Sequence, residues 1–162
     1  MQKITPFLWF DHQAEEAANF YVSLFHNSKI LGISRYGPEG PGADGSVMTV
    51  SFELNGQEFV ALNGGPLFKF TEAVSFAINC DSQEEIDRYW AQLTADGGEE
   101  SCCGWLTDRY GLSWQVVPRK IREWMLTGDP IRAQRIMAVV GPMRKLDMAA
   151  MERAFDGTDQ PE

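Results

Sequence analysis

The side chains of this chain best suited to chemistry fall in one short run, Cys103-Gly104-Trp105-Leu106-Thr107-Asp108-Arg109-Tyr110-Gly111-Leu112-Ser113-Trp114-Gln115-Val116-Val117-Pro118. A glutamine, a thiol and two indoles there can supply a hydrogen-bonding amide, a nucleophile and flat apolar surface. The run predicts two short strands, Trp105 to Asp108 and Leu112 to Val117, joined by a tight turn from Asp108 to Gly111. Along the second strand Ser113, Gln115 and Val117 share one face, and Leu112, Trp114 and Val116 share the other. With Trp114 and Val116 turned to a core, Gln115 projects from the opposite face, where a curved sheet could enclose a ligand. Cys103 lacks a histidine placed to activate it, so packing suits it better than nucleophilic attack.

Composition narrows the classes of partner. Fourteen basic residues against 23 acidic ones leave a formal charge of −9, which repels phosphate backbones and argues against nucleic acid. Arg119, Lys120, Arg122, Arg132 and Arg135 fall at helical spacing and read as a solvated helix face. The three cysteines, Cys80, Cys102 and Cys103, make no disulfide framework, which suits a reducing compartment. No charged-then-apolar leader opens the chain, and no apolar run approaches the ~20 residues that span a bilayer. The expectation is a soluble, cytoplasmic protein that does not enter membranes.

The elements that must position the run repeat in pattern. Residues 3–10 predict a strand with Pro6 near an edge or bulge. Asp11 is the expected cap of a helix that turns Ala14, Ala17, Ala18, Tyr21, Leu24 and Phe25 to one face. Strands are predicted over Lys29 to Tyr36, Val47 to Leu54 and Gln57 to Asn63, the last two joined by an Asn55-Gly56 hairpin turn. Between Gly37 and Gly45 lies a glycine-rich loop without the GK[ST] ending of a phosphate cradle, expected to be flexible and placed to serve as a lid over a pocket. The order then restarts. Ala73 to Cys80 predicts a strand, and Ser82 with Glu85 predicts a capping box opening a helix that buries Ile86, Tyr89, Trp90 and Leu93. Gly97-Gly98 ends that helix, and strands follow around Glu99 to Cys103 and through the run already described. A tail after Pro118 predicts helices at Ile121–Leu126, at Pro130–Val140 behind an Asp129 cap, and at Leu146–Phe155. Its Trp124, Met125, Ile131, Ile136, Met137, Met148, Met151 and Phe155 need a surface, either the chain's own or a second subunit's. Residues 156–162 are polar and expected to fray.

Two successive β-α-β-β-β units resemble the vicinal oxygen chelate (glyoxalase/bleomycin-resistance/dioxygenase) superfamily. The likeness is to its PhnB-like branch, often labelled a 3-demethylubiquinone-9 3-methyltransferase domain. It is carried by Pro6-Phe7-Leu8-Trp9-Phe10, Ala14-Glu15-Glu16-Ala17 with Phe20-Tyr21, Leu62-Asn63-Gly64-Gly65-Pro66, Phe68, Phe70, Ser75-Phe76 and the CGWL…DRYGLSWQ…P run. The resemblance implies an α+β fold in which the units pair into a cup-shaped, incomplete barrel, in a homodimer. It divides the chain into a glyoxalase-like domain at 1–118 (units 1–65 and 71–118) and a helical extension at 119–162. The methyltransferase label carries little weight, because the chain lacks the glycine-rich strand-to-helix loop and the parallel sheet that S-adenosylmethionine enzymes normally use.

Metal-dependent members of the superfamily place His, Glu or Gln on the first and last strands of each unit. Carried onto this chain, those positions fall at Thr5 or Pro6, Val60 or Ala61, Ala73 or Val74, and Gln115. Of these only Gln115 could bind a divalent cation, and one neutral amide oxygen is too little for a site. His12 and His26 flank the first helix roughly 20 Å apart, at ~1.5 Å per residue, and cannot meet within one subunit. No metal or cofactor is expected; a site completed by Asn63, Glu58 or Asp108 is the exception left open. What remains is a cup lined by Trp9, Asn63, Phe68, Phe70, Ser75, Cys103, Trp105 and Gln115, suited to a small, partly apolar molecule with one or two polar anchors. Three functions stay open: metal-free binding of such a molecule, a metal-dependent lyase, isomerase or dioxygenase, and a structural or regulatory dimer whose cup is filled.

Overall fold

The computed structural model describes residues 2–126 and 128–158, and its backbone separates into two units, residues up to Phe70 and residues from Thr71. In the first unit the strands are β1 (Phe7–Phe10), β2 (Lys29–Arg35), β3 (Val47–Leu54) and β4 (Gln57–Asn63), with helix α1 (Ala14–Leu24) after β1. The sheet order is β1-β4-β3-β2. β1 lies parallel to β4, with Phe7 beside Val60 and Phe10 beside Asn63, and the remaining pairs are antiparallel. Asn55 and Gly56 both take positive φ (47° and 84°), the geometry of the tight hairpin that their sequence predicts.

Alternation sends Leu8, Phe10, Val50, Phe52, Phe59 and Ala61 to one face, where they are buried with Ala14, Ala17, Ala18, Tyr21 and Leu24 of α1. The helix can lie close because its contact residues are mostly alanines. Tyr21 stacks on Phe52 and Phe52 on Phe59, with centroids 6.3 and 5.6 Å apart.

The second unit repeats the arrangement with β5 (Ser75–Cys80), α2 (Gln83–Thr94), β6 (Glu99–Glu100), β7 (Trp105–Thr107) and β8 (Ser113–Pro118). Its order is β5-β8-β7-β6, with β5 parallel to β8. The Ser82 hydroxyl accepts from the Glu85 N–H at 3.2 Å, and the Glu85 carboxylate accepts from the Asp81 N–H at 2.8 Å. Ile86, Tyr89, Trp90 and Leu93 are the buried residues of α2, as their spacing predicts. Cys80 is fully buried beneath this unit, and burial pushes its thiol up to about 12.

The tail packs on the second unit of its own chain. Helices α3 (Arg119–Leu126), α4 (Pro130–Val140) and α5 (Met148–Asp156) gather around Ile136, Val140, Leu146 and Met151, with Cys103, Val117, Trp124 and Phe155 against them. The Cys103 and Gly104 N–H groups donate to the Met143 and Arg144 carbonyls, both at 2.8 Å. Gln83 on α2 donates to the Leu146 carbonyl and accepts from the Met148 N–H. Asp129 caps α4 as expected, accepting from the Ile131 and Arg132 N–H groups. Met125, Leu126, Ile131 and Met137 remain exposed. No helix among the described residues is long and apolar enough to cross a membrane.

Several boundaries differ from the sequence expectation. Asp11 does not cap α1; Gln13 occupies the cap position and makes no side-chain cap bond. The strand expected over Glu99 to Cys103 shrinks to Glu99–Glu100, because Cys103 and Gly104 turn the chain with positive φ (58° and 82°). β1 begins at Phe7 and β5 at Ser75, later than predicted, while α3 follows β8 directly. Gly157, with φ 74°, closes α5, and residues 159–162 of the expected frayed end lie outside the described residues.

The turn between β7 and β8 is held by Asp108, which is 2% exposed. Its Oδ1 accepts from the Tyr110 and Leu112 N–H groups at 2.9 and 3.1 Å, and its Oδ2 accepts from Trp114 Nε1 at 2.9 Å. Gly111, at φ 82°, lets the backbone close with its N–H donating to the Asp108 carbonyl at 2.8 Å. An amide in place of this carboxylate would turn an NH2 group toward buried donors. Asp108→Asn is therefore expected to lower unfolding stability by about 2–4 kcal/mol, read as a fall in the urea midpoint; an unchanged midpoint would contradict this role.

Candidate functional site

On the face of the second sheet opposite Trp114 and Val116, alternation along β8 places Ser113, Gln115 and Val117. Gln115 is half-buried. It lies directly across from Trp105 on β7 and from Ala77 on β5. Ser75 shares this face two residues earlier on β5, and its Oγ accepts a 2.9 Å hydrogen bond from Gln115 Nε2. Ser75, Trp105 and Gln115 are thus brought together on one face. Ser113 completes the row, opposite Ser75 on one side and Thr107 on the other.

Cys103 is not part of that row. Its left-handed backbone turns it toward the tail, where Sγ lies 3.8 Å from the Gly141 carbonyl oxygen. Burial, then the neighbouring Cys102 thiol, raise its pKa, so neutral pH leaves it a thiol rather than a nucleophilic thiolate.

In the first unit, the four expected residues divide between two sides of the sheet. Trp9 lies on the face away from α1. Its Nε1 donates to the Gly65 carbonyl at 2.8 Å, and its ring meets Phe68 edge-on at 5.0 Å. The chain can pass there because residue 64 is glycine: an added Cβ would strike the Trp9 indole ring. Phe68 is 58% exposed. Asn63 falls on the α1 side, in register with Phe10. Its Oδ1 accepts from the Ala14 N–H at 2.8 Å, its Nδ2 donates to the Val47 carbonyl at 3.1 Å, and its own carbonyl accepts from the Tyr36 hydroxyl at 2.6 Å. The cap that Asp11 was expected to supply therefore comes from Asn63. Phe70 meets Phe10 edge-on at 5.2 Å, on the same side as Asn63.

The loop from Gly37 to Gly45 extends the β2–β3 hairpin. Tyr36 and Ser46 pair across its base, Gly45 donates to the Tyr36 carbonyl, and a Cβ at Gly42 would strike the Tyr36 ring. Beside it lies a cavity of about 400 Å³ lined by Asp11, His12, Glu15, Tyr36 and Asn63. This lining carries two carboxylates, an imidazole and a single aromatic ring, Tyr36. Asp11 and His12 approach to 3.4 Å, and both are largely exposed.

Among the described residues, no group of three or more His, Cys, Asp or Glu side chains could hold a metal ion. Two of the three residues named for an exceptional metal site already have partners. Asp108 accepts from two backbone N–H groups and an indole, and the Asn63 amide bridges α1 and β3. The residues missed in the sequence are Ser113 as a site neighbour and Asp108 as the anchor of the turn. Strand alternation already put Ser113 on the Gln115 face, and the Asp-x-x-Gly spacing already marked a turn.

The family model described as 3-demethylubiquinone-9 3-methyltransferase matches residues 2–117. Among solved structures, the chain is similar to a PhnB protein of Bacillus cereus that carries the same methyltransferase description. The two are 43% identical over 72% of this chain and 99% of that one, with a TM-score of 0.66. A Pseudomonas aeruginosa protein, 22% identical over 72% of this chain and 96% of its own, shares the fold with a TM-score of 0.60. No curated protein matches the chain.

Removing the Asn63 side chain would leave the Ala14 N–H and the Val47 carbonyl without their partners. Asn63→Ala is expected to lower stability by about 2–3 kcal/mol, measured by urea unfolding. Asn63→Asp, which keeps the acceptor for Ala14, is expected to lose less. Equal losses in the two variants would contradict the capping role.

Proposed function

The chain belongs to the PhnB-like family described as 3-demethylubiquinone-9 3-methyltransferase, and on that premise we propose that it binds a small, partly apolar molecule without a metal, at the β8 face that carries Gln115. The observation that carries this reading is the Gln115–Ser75 hydrogen bond. It orients a half-buried amide by its NH2 group and leaves Oε1 to accept from a ligand. Trp105, directly across the ladder, supplies flat apolar surface beside that acceptor. A few fixed polar groups among apolar ones is the usual composition of a small-molecule site.

Binding is favoured over the methyl transfer named in the family description. S-adenosylmethionine enzymes normally use a glycine-rich loop between a strand and a helix of a parallel sheet. Here the β1–α1 link is Asp11-His12-Gln13 and the β5–α2 link is Asp81-Ser82, neither with a glycine. Each sheet contains one parallel strand pair, with its other pairs antiparallel.

Small aromatic amides test the reading, with benzamide and indole-3-carboxamide as probes. Both are expected to raise the melting temperature and to perturb tryptophan fluorescence. Gln115→Ala is expected to weaken them about tenfold, the effect of losing one hydrogen bond in a desolvated site. Protein dialysed against a chelator is expected to bind as tightly as untreated protein. Equal affinity in Gln115→Ala would overturn the site, and binding lost on chelation and restored by a divalent ion would overturn the metal-free reading.

A further inference from the structure

We infer that Ser113 is a second, buried anchor of this site, and that the ligand presents a neutral donor–acceptor pair to Ser75, Ser113 and Gln115. The inference rests on the proposed binding function and adds the chemical class of the ligand. Ser113 is 1% exposed. Its Oγ is buried without a hydrogen-bond partner among the described residues. Hydroxyls flank it on both neighbouring strands, Ser75 on β5 and Thr107 on β7, yet neither pairs with it. A buried hydroxyl without a partner destabilises the fold relative to alanine at the same place, and such groups are ordinarily completed by water or a ligand.

The chemistry of the row selects the ligand. Ser75 Oγ already accepts from Gln115 Nε2, so its own proton remains to be donated. Gln115 Oε1 can only accept, and Ser113 Oγ can do either. Along β5, β7 and β8 this face carries Ser75, Ala77, Asn79, Trp105, Thr107, Ser113, Gln115 and Val117, none of them ionisable at neutral pH. On β6, Glu99 lies opposite Thr107 and is exposed. A carboxylate ligand would lose hydration against neutral partners with a like charge at the sheet edge, which is unfavourable. A carboxamide or a hydroxy-ketone on a flat apolar ring meets the donors and the acceptor without that loss.

The test compares wild type, Ser113→Ala and Gln115→Ala, using benzamide and benzoate as a matched neutral and anionic pair. Ser113→Ala without ligand is expected to melt no lower than wild type, because it removes an unpaired hydroxyl. It is expected to weaken benzamide about fivefold, and benzoate is expected to bind wild type at least tenfold more weakly than benzamide. A lower melting temperature in Ser113→Ala with unchanged benzamide affinity would make the hydroxyl structural and overturn the anchor. Benzoate binding more tightly than benzamide would overturn the neutral-ligand assignment. In both of those cases a loss of benzamide in Gln115→Ala would leave the site itself standing. Wild type that binds neither probe would overturn the binding function and this inference together.

Discussion

The geometry of the candidate site depends on one buried carboxylate. A strand changes face with every residue, so a one-residue slip of β8 against β7 would carry Trp114 outward and Gln115 into the core. Asp108 opposes that slip by holding three donors at fixed positions beyond it, the N–H groups of Tyr110 and Leu112 and the indole of Trp114. The same contact satisfies the polar end of a buried tryptophan, which allows Trp114 to serve as core. With the register set, Trp105 lies opposite Gln115 and Ser113 falls between Ser75 and Thr107. The polar row is a consequence of that turn.

The two units meet a shared requirement with different residues. Each has a helix that follows the first strand and must have its leading N–H groups satisfied. In the second unit the solution is local, with Ser82 and Glu85 serving α2. In the first it is distant in sequence, with Asn63 reaching Ala14 from the end of β4 while also holding Val47. Asn63 therefore ties helix, β3 and β4 together, a role that accounts for its half-buried polar side chain without a ligand.

Local signals in the sequence were legible where the physics is local. The hairpin at Asn55-Gly56, the box at Ser82 and Glu85, and the buried stripe Ile86, Tyr89, Trp90 and Leu93 follow from spacing alone. The strand order and the placement of Gln115 opposite the core follow from pattern and from the resemblance to the PhnB-like family. Asp11 fails as a cap because its competitor, Asn63, lies 49 residues beyond the Ala14 N–H that it serves, out of reach of a local rule. Cys103 fails as a strand residue because two successive left-handed residues end the strand early, a choice that the tail stabilises through Met143 and Arg144. Trp9 and Asn63, grouped by residue type, separate because the parity of β1 and β4 puts them on opposite faces. That Ser113 Oγ has no partner among the described residues depends on side-chain geometry across three strands, which a sequence does not express.

The Gln115 face of the second sheet is where a small neutral molecule is proposed to bind. The most direct measurement is a two-dimensional 1H–15N spectrum of the protein titrated with benzamide. Saturable shifts are expected in the Gln115 side-chain amide, the Trp105 indole N–H and the backbone amides of Ser75 and Ser113. Shifts confined to the residues around Asp11, Glu15 and Tyr36, where the acidic cavity of the first unit lies, with the Gln115 amide unmoved, would contradict it.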